Sequence, residues 1–174
     1  MDPYSPTALA ARQEIYDVML RYCRGIDRLD EALVRSCYHE GAIDNHGLYN
    51  GSVDLFISNA FPRQRKLLVA QHMVQNFTVE FAGDAAVVET YALATERRRN
   101  DDDSMTDTVV GLRYVDRFEL RGGAWLIVRR TVVIEWTRDH QVDEGWLQGA
   151  EFTRGKRDTT DKIYEELALL HAGE

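Results

Sequence analysis

The sequence predicts an α+β domain, a cone-shaped α+β barrel with N-terminal helices packed on a strongly curved, mostly antiparallel sheet. Three observations predict it. Apolar residues recur at three- and four-residue intervals as far as Leu67 and then alternate with polar ones for about seventy residues. The alternating stretches are joined by the tight-turn signals Gly83-Asp84 and Gly122-Gly123. The chain has 174 residues, 44% hydrophobic and 29% charged, which is the size and composition of one ordinary globular domain. Helices first and a meander of long strands afterwards is the order in which helices cover one face of an antiparallel sheet.

In the first helix Leu9, Ile15, Met19, Tyr22, Cys23 and Ile26 form one apolar stripe. Ser5 is its N-cap, and Pro6 occupies the first position, where a missing N–H costs nothing. A second, short helix starts from Asp30 and runs through Leu33, Val34 and Cys37. Residues 41–51 read as irregular, with a short strand at Ala42 to Asp44. Ser52 caps a third helix through Leu55, Phe56 and Phe61 that Pro62 closes. Four strands follow, Leu68–Phe81, Ala85–Arg99, Met105–Leu120 and Trp125–Trp136, with Asp101, Asp102 and Asp103 in a solvated turn. The tail carries Trp146 and Phe152, then a helix from about Thr160 with Ile163, Leu167 and Leu170 on one face. Residues 1–136 form the domain, and residues 137–174 an extension that packs on it or on a neighbouring subunit.

Several function classes are excluded. No stretch approaches the roughly 20 apolar residues of a spanning helix, so a membrane protein is not expected. The net charge of −8, with no basic block, lacks the electrostatic footprint of a nucleic-acid binder. Cys23 and Cys37 are too few for a disulfide framework and lack zinc spacing, so buried free thiols are expected. The opening residues resemble no secretory signal, and a cytoplasmic location is the expectation.

Candidate chemistry lies where polar residues intrude on apolar faces. Asp27, four residues after Cys23, shares the buried stripe if the helix persists, and must then find a partner. Gly25 could instead end the helix and turn Asp27 into water. His72 shares a strand face with Leu68, Ala70, Val74, Asn76 and Thr78, opposite Met73, Phe77, Val79 and Phe81. It is either a hydrogen-bonded structural residue or an acid–base group. Arg130 alternates with Leu126, Val128, Val132 and Ile134, and must face a cavity or pair with Asp116, Glu96 or Glu135. Tyr22 is a core aromatic whose hydroxyl could reach a ligand, although it lies about 140° from Asp27 on an ideal helix. His39 and His46 with Asp44 have no recognised metal-ligand spacing. Nucleophile elbows, phosphate loops and H-E-x-x-H are absent, which favours proton-transfer chemistry.

From Ala8 to Trp136 the chain resembles the SnoaL-like branch of the nuclear transport factor two-like superfamily. The resemblance rests on Tyr22-x-x-x-x-Asp27 with Asp30, His72-x-x-x-Asn76, Tyr114-x-Asp116-Arg117 and Gly123-x-Trp125-x-Ile127-x-x-Arg130. That branch includes scytalone dehydratase, bile-acid dehydratase and hexachlorocyclohexane dehydrochlorinase. It implies a catalytic dyad of Asp27 and His72, with the histidine as general base and the aspartate fixing its tautomer. Tyr22 matches a tyrosine of the bile-acid dehydratase type that polarises a carbonyl or protonates a leaving hydroxyl, and Arg130 falls where the dehydrochlorinase has an arginine beside its departing anion. The dehydrochlorinase has a lysine at the Tyr22 position, so dehydration is the better match.

The implied function is a cofactor-independent lyase that needs no metal. Its substrate is a small, apolar molecule, polycyclic ones included, held by Met19, Phe56, Phe61, Val74, Asn76, Val88 and Trp136. The same resemblance admits an isomerase or polyketide cyclase with the same base, or a binding protein or dioxygenase small subunit. It also implies a homodimer or homotrimer.

Overall fold

Two periodicities build two layers in the computed structural model, which describes residues 4–143 and 151–172. Helix α1 (Pro6–Asp27) begins where Ser5 Oγ accepts the Ala8 N–H at 3.2 Å. Its buried side carries Ile15, Val18, Met19, Tyr22, Cys23 and Ile26, close to the stripe the spacing predicts, with Val18 added and Leu9 half exposed. Gly25 does not end the helix. A Cβ there would lie 2.6 Å from Val34 Cγ2 and 2.9 Å from the Val34 nitrogen, so this glycine lets α2 (Glu31–Arg35) press against the end of α1. Asp30 caps α2 through the Leu33 N–H at 2.9 Å. The helix stops short of Cys37 because Tyr38 already pairs with Ile127 in the sheet.

The irregular segment is more ordered than its sequence suggests. It holds β1 (Tyr38–Asn45) and the short β2 (Asn50–Ser52), an antiparallel hairpin in which Asn45 faces Asn50. Helix α3 (Val53–Gln64) starts at Ser52 as expected but passes Pro62. Proline removes one donor there, yet the Arg65 N–H still reaches Phe61 O at 2.9 Å, so the last turn survives.

The remaining strands are β3 (Val69–Ala82), β4 (Ala85–Arg99), β5 (Met105–Arg121) and β6 (Ala124–Gln141). The six-stranded sheet has the order β2-β1-β6-β5-β4-β3 and does not close on itself. Every pairing is antiparallel except β1 with β6. Gly83, Gly122 and Gly123 adopt φ of 60°, 59° and 83° in the hairpin turns, where a side chain would be strained. Strand β6 runs past Trp136 because the first residues of β5 offer it partners, Thr106 facing Gln141 and Val110 facing Thr137. Helix α4 (Lys162–His171), capped by Asp161, lies in the tail, and Leu170 on it is exposed. Trp146 lies outside the described residues.

Three irregularities decide what faces the helices. In β3, Val74 pairs with Ala92 but Phe77 pairs with Thr90, so Gln75 and Asn76 together oppose Tyr91 as a bulge. Strict alternation would put His72 and Phe77 on opposite faces. The bulge instead sets Ala70, His72 and Val74, then Phe77, Val79 and Phe81, towards the helices, and turns Asn76 out to solvent. In β6 the register slips at Val128, so the inner face passes from Trp125 and Ile127 to Arg130, Val132 and Ile134, rather than running unbroken from Leu126. A further slip at Glu135 leaves Trp136 opposite Gly111, with its ring over the position a Cβ would take and 46% of its surface exposed.

The inner faces of β4 and β5 present Ala86, Val88, Ala92, Ala94, Leu112, Tyr114 and Phe118, all buried against α1 and α3. The alanines leave room for the helices at one end. At the other end they leave space unfilled.

Candidate active site

The unfilled space is a cavity of about 240 Å³ between α1, α3, the β1–β2 turn and the inner faces of β3 to β6. Its apolar wall includes Ile26, Phe56, Val110, Leu112, Val132 and Ile134. Tyr22, His46, Gln64, His72, Glu96 and Tyr114 supply its polar groups. Ala94 stands directly across from His72 in the sheet, and its small side chain keeps the volume beside the imidazole open.

Asp27 is 8% exposed at the last residue of α1. Its two oxygens have separate partners, Oδ1 lying 2.7 Å from His72 Nδ1 and Oδ2 accepting the His72 backbone N–H at 3.0 Å. The carboxylate that sequence placed on a buried stripe is thus satisfied by one residue of β3. An ionised carboxylate only accepts, so Nδ1 carries the proton and Nε2 is the nitrogen left for a ligand in the cavity. The 140° between Tyr22 and Asp27 is resolved in the same way: Tyr22 lines the cavity directly, while Asp27 stands behind His72.

Arg130 does not face the cavity. It is fully buried and donates to both oxygens of Asp116, at 2.8 and 2.6 Å, the first of the three ion-pair partners that its position suggested. Its guanidinium lies 4.1 Å from the ring centre of Tyr22 and 4.3 Å from that of Tyr114, and it donates to Met19 Sδ at 3.0 Å. It therefore supports the tyrosines from beneath the cavity floor. Burial pushes the phenols of Tyr22, Tyr38 and Tyr114 well above the usual tyrosine range, against the opposing pull of Arg130, so all three are O–H donors at neutral pH.

Of the wall residues predicted from sequence, Phe56 lines the cavity. Met19, Phe61 and Val88 are instead spent on the closed core, 0%, 1% and 0% exposed, and Val74 packs against that core without reaching the cavity. Asn76 is displaced by the β3 bulge and Trp136 by the slip at Glu135. Sequence reasoning weighed Asp44 and His46 only as metal ligands, with His39, and set them aside. Asp44, fully buried, accepts Tyr38 O–H at 2.6 Å and pairs with His46 Nδ1, and His46 Nε2 lies 3.2 Å from Tyr22 Oη. The spacing Asp44-x-His46, two residues on one side of an extended chain, was the available signal. His39 is elsewhere, against Glu119 O.

Arg157, from the tail, was missed. Half buried, it donates to Ile26 O, Asp27 O, Leu67 O, Gln64 O and Gln64 Oε1, and Gln64 in turn donates to Glu96 in the cavity wall. Its neighbours Asp161 and Tyr164 contact Arg28 at 3.4 Å and Asp30 at 3.0 Å. The tail thus fastens the helix end that carries Asp27. Among the described residues, no group of three or more His, Cys, Asp or Glu side chains could hold a metal ion, and no helix is long and apolar enough to cross a membrane.

A helical layer on a curled, open sheet, with a small cavity between the two, defines the cone-shaped α+β class. Residues 7–131 match the model of the SnoaL-like domain, and the chain belongs to that family. No curated protein matches in sequence. Among solved structures, the chain is similar to a proposed scytalone dehydratase from Novosphingobium aromaticivorans, with a TM-score of 0.68, 18% identity, and 79% of this chain and 92% of that one covered. It is also similar to hexachlorocyclohexane dehydrochlorinase LinA-type3 from Novosphingobium barchaimii, with a TM-score of 0.61, 17% identity, and 85% and 95% coverage. A protein of unknown function from Mycobacterium tuberculosis matches along 97% of this chain and 92% of its own, with a TM-score of 0.63 and 16% identity. At these identities the likeness speaks for the fold.

Proposed function

We propose that this protein is a cofactor-independent lyase of the dehydratase type, with Asp27 and His72 as its catalytic dyad. The observation that carries the reading is the pair of contacts between Asp27 and His72 at the wall of the cavity. His72 Nε2 takes a proton from a carbon made acidic by a neighbouring carbonyl. Asp27 holds the tautomer and stabilises the imidazolium that forms. The electron pair closes a double bond as a β-hydroxyl departs, protonated by Tyr22, which its raised pKa keeps a donor. The cavity volume suits a compact substrate of one or two rings rather than a large polycycle. Similarity to a proposed scytalone dehydratase and to a dehydrochlorinase supports the same reaction class.

A suitable probe is the β-hydroxy ketone made from benzaldehyde and acetone, whose dehydration product absorbs in the near ultraviolet. His72→Ala and Asp27→Asn are expected to lower kcat/KM by about 10²–10⁴. Mass spectrometry should show loss of water. A product of unchanged mass would point to an isomerase or cyclase using the same base, and wild-type rates in the His72→Ala protein would refute the base assignment.

A further inference from the structure

The cavity contains a second Asp–His pair, opposite the first in chain origin and unused by the mechanism above. Asp44 is fully buried, accepts Tyr38 O–H on one oxygen and pairs with His46 Nδ1 on the other. The imidazole is further fixed by stacking on Phe56, with ring centres 4.2 Å apart and planes 18° from parallel. The backbone N–H of His46 donates to Tyr49 O at 2.7 Å, closing the turn in which Gly47 takes φ 70°. Nε2 of this doubly anchored ring points at Tyr22 Oη, 3.2 Å away, and both residues line the cavity.

From this arrangement we infer that His46 is a second catalytic histidine, oriented by Asp44, which supplies through Tyr22 the proton that the leaving group carries away. The inference rests on the lyase reading and deepens it. A buried tyrosine is a reluctant acid, because burial disfavours the phenolate that protonating a leaving group would leave behind. A donor behind the phenol removes that obstacle. With both nitrogens of His46 protonated, Nδ1–H donates to Asp44 and Nε2–H to Tyr22 Oη, which frees the phenolic proton to point into the cavity.

The step then balances without an external reagent. His72 Nε2 takes the C–H proton, the C–H electron pair becomes the new double bond, and the C–O bond breaks. The departing oxygen takes the Tyr22 proton and leaves as water, while His46 Nε2–H passes to Tyr22 Oη. The enzyme ends with one proton moved from His46 to His72, and that proton returns through water once product leaves. Asp44 touches no substrate and is a positioning residue.

The test compares two probes that share an acidic C–H but differ in leaving group: the β-hydroxy ketone already named and its acetate ester. Hydroxide needs a proton in order to leave, whereas acetate departs as a stable anion. His46→Gln and Tyr22→Phe are each expected to slow the hydroxy ketone by about a hundredfold or more. Their loss on the ester should be at least tenfold smaller. His72→Gln should slow both probes alike, and circular dichroism establishes that each variant is folded. Equal losses on both probes in His46→Gln and Tyr22→Phe, or no loss on the hydroxy ketone, overturn the relay while leaving the His72 base in place. Wild-type turnover of the ester by His72→Gln, or no turnover of either probe by the wild type, overturns the lyase reading itself and the relay with it.

Discussion

Replacing Arg157 by alanine removes a tail side chain that reaches the end of α1, the end of α3 and the loop before β3 at once. Its guanidinium makes five hydrogen bonds to Ile26, Asp27, Gln64 and Leu67. Hydrogen bonds to a charged donor contribute about 1.5–3 kcal/mol each, but they are not additive, and water can replace those at the open side of a half-buried group. Counting only the two bonds to Gln64, at 2.5 and 3.0 Å, with the lower figure gives about 3 kcal/mol. For a domain of this size each kcal/mol moves Tm by about 2–4 °C, so a loss of about 6–12 °C is expected. Thermal unfolding followed by circular dichroism measures it, with Arg157→Lys recovering only part because an ammonium lacks the planar fork. A chain ended after Asp143 should lose at least as much. If Arg157→Ala melts within 2 °C of the wild type, the tail does not fasten the helix end.

Three further outcomes follow from the core. Arg130→Met strands the fully buried Asp116 carboxylate and should cost about 3–5 kcal/mol, while Arg130→Met with Asp116→Leu recovers most of that in a denaturant titration. Gly25→Ala forces Val34 and its backbone away from α1 and should cost about 1–3 kcal/mol, read as a lower urea midpoint at unchanged slope. Burial pushes the Cys23 thiol up to about 12 and that of Cys37 up to about 11, so neither should react with a disulfide reagent at pH 8 until the protein unfolds. Because open-chain thiols ionise near 8.5, the unfolded state alone loses protons as pH rises above that value. Stability is then full below about pH 8.5 and declines towards pH 11, by about 2 kcal/mol per thiol at pH 10. Flat stability between pH 8 and 10 would contradict the burial of both thiols.

The Asp27–His72 contact shows how far sequence alone reaches. Spacing put Asp27 on the buried stripe of α1, and the family pattern paired it with His72, because helical periodicity and short motifs are local properties of the chain. Alternation carried straight through β3 places His72 on one face with Asn76 and opposite Phe77. The two-residue bulge opposite Tyr91 breaks that alternation, and nothing in Gln75-Asn76 announces it. Arg130 was rightly found to be a charge on an apolar face, yet the choice between a cavity and Asp116 depended on β5 register, which is set by pairing between strands.

Sequence by itself determined the helix-then-strand order, the caps at Ser5, Asp30 and Ser52, the hairpin turns, and the family to which residues 7–131 belong. Each follows from backbone preferences and periodicities that neighbouring residues fix among themselves. Only the tertiary structure decided which face of each strand looks inward past a bulge, that Arg130 lies beneath the cavity, and that Asp44 and His46 turn towards Tyr22. It alone brought Arg157 onto the carbonyl of Asp27, 130 residues away along the chain. Those are contacts between distant segments, selected because buried charges and backbone carbonyls must find partners wherever the folded chain supplies them.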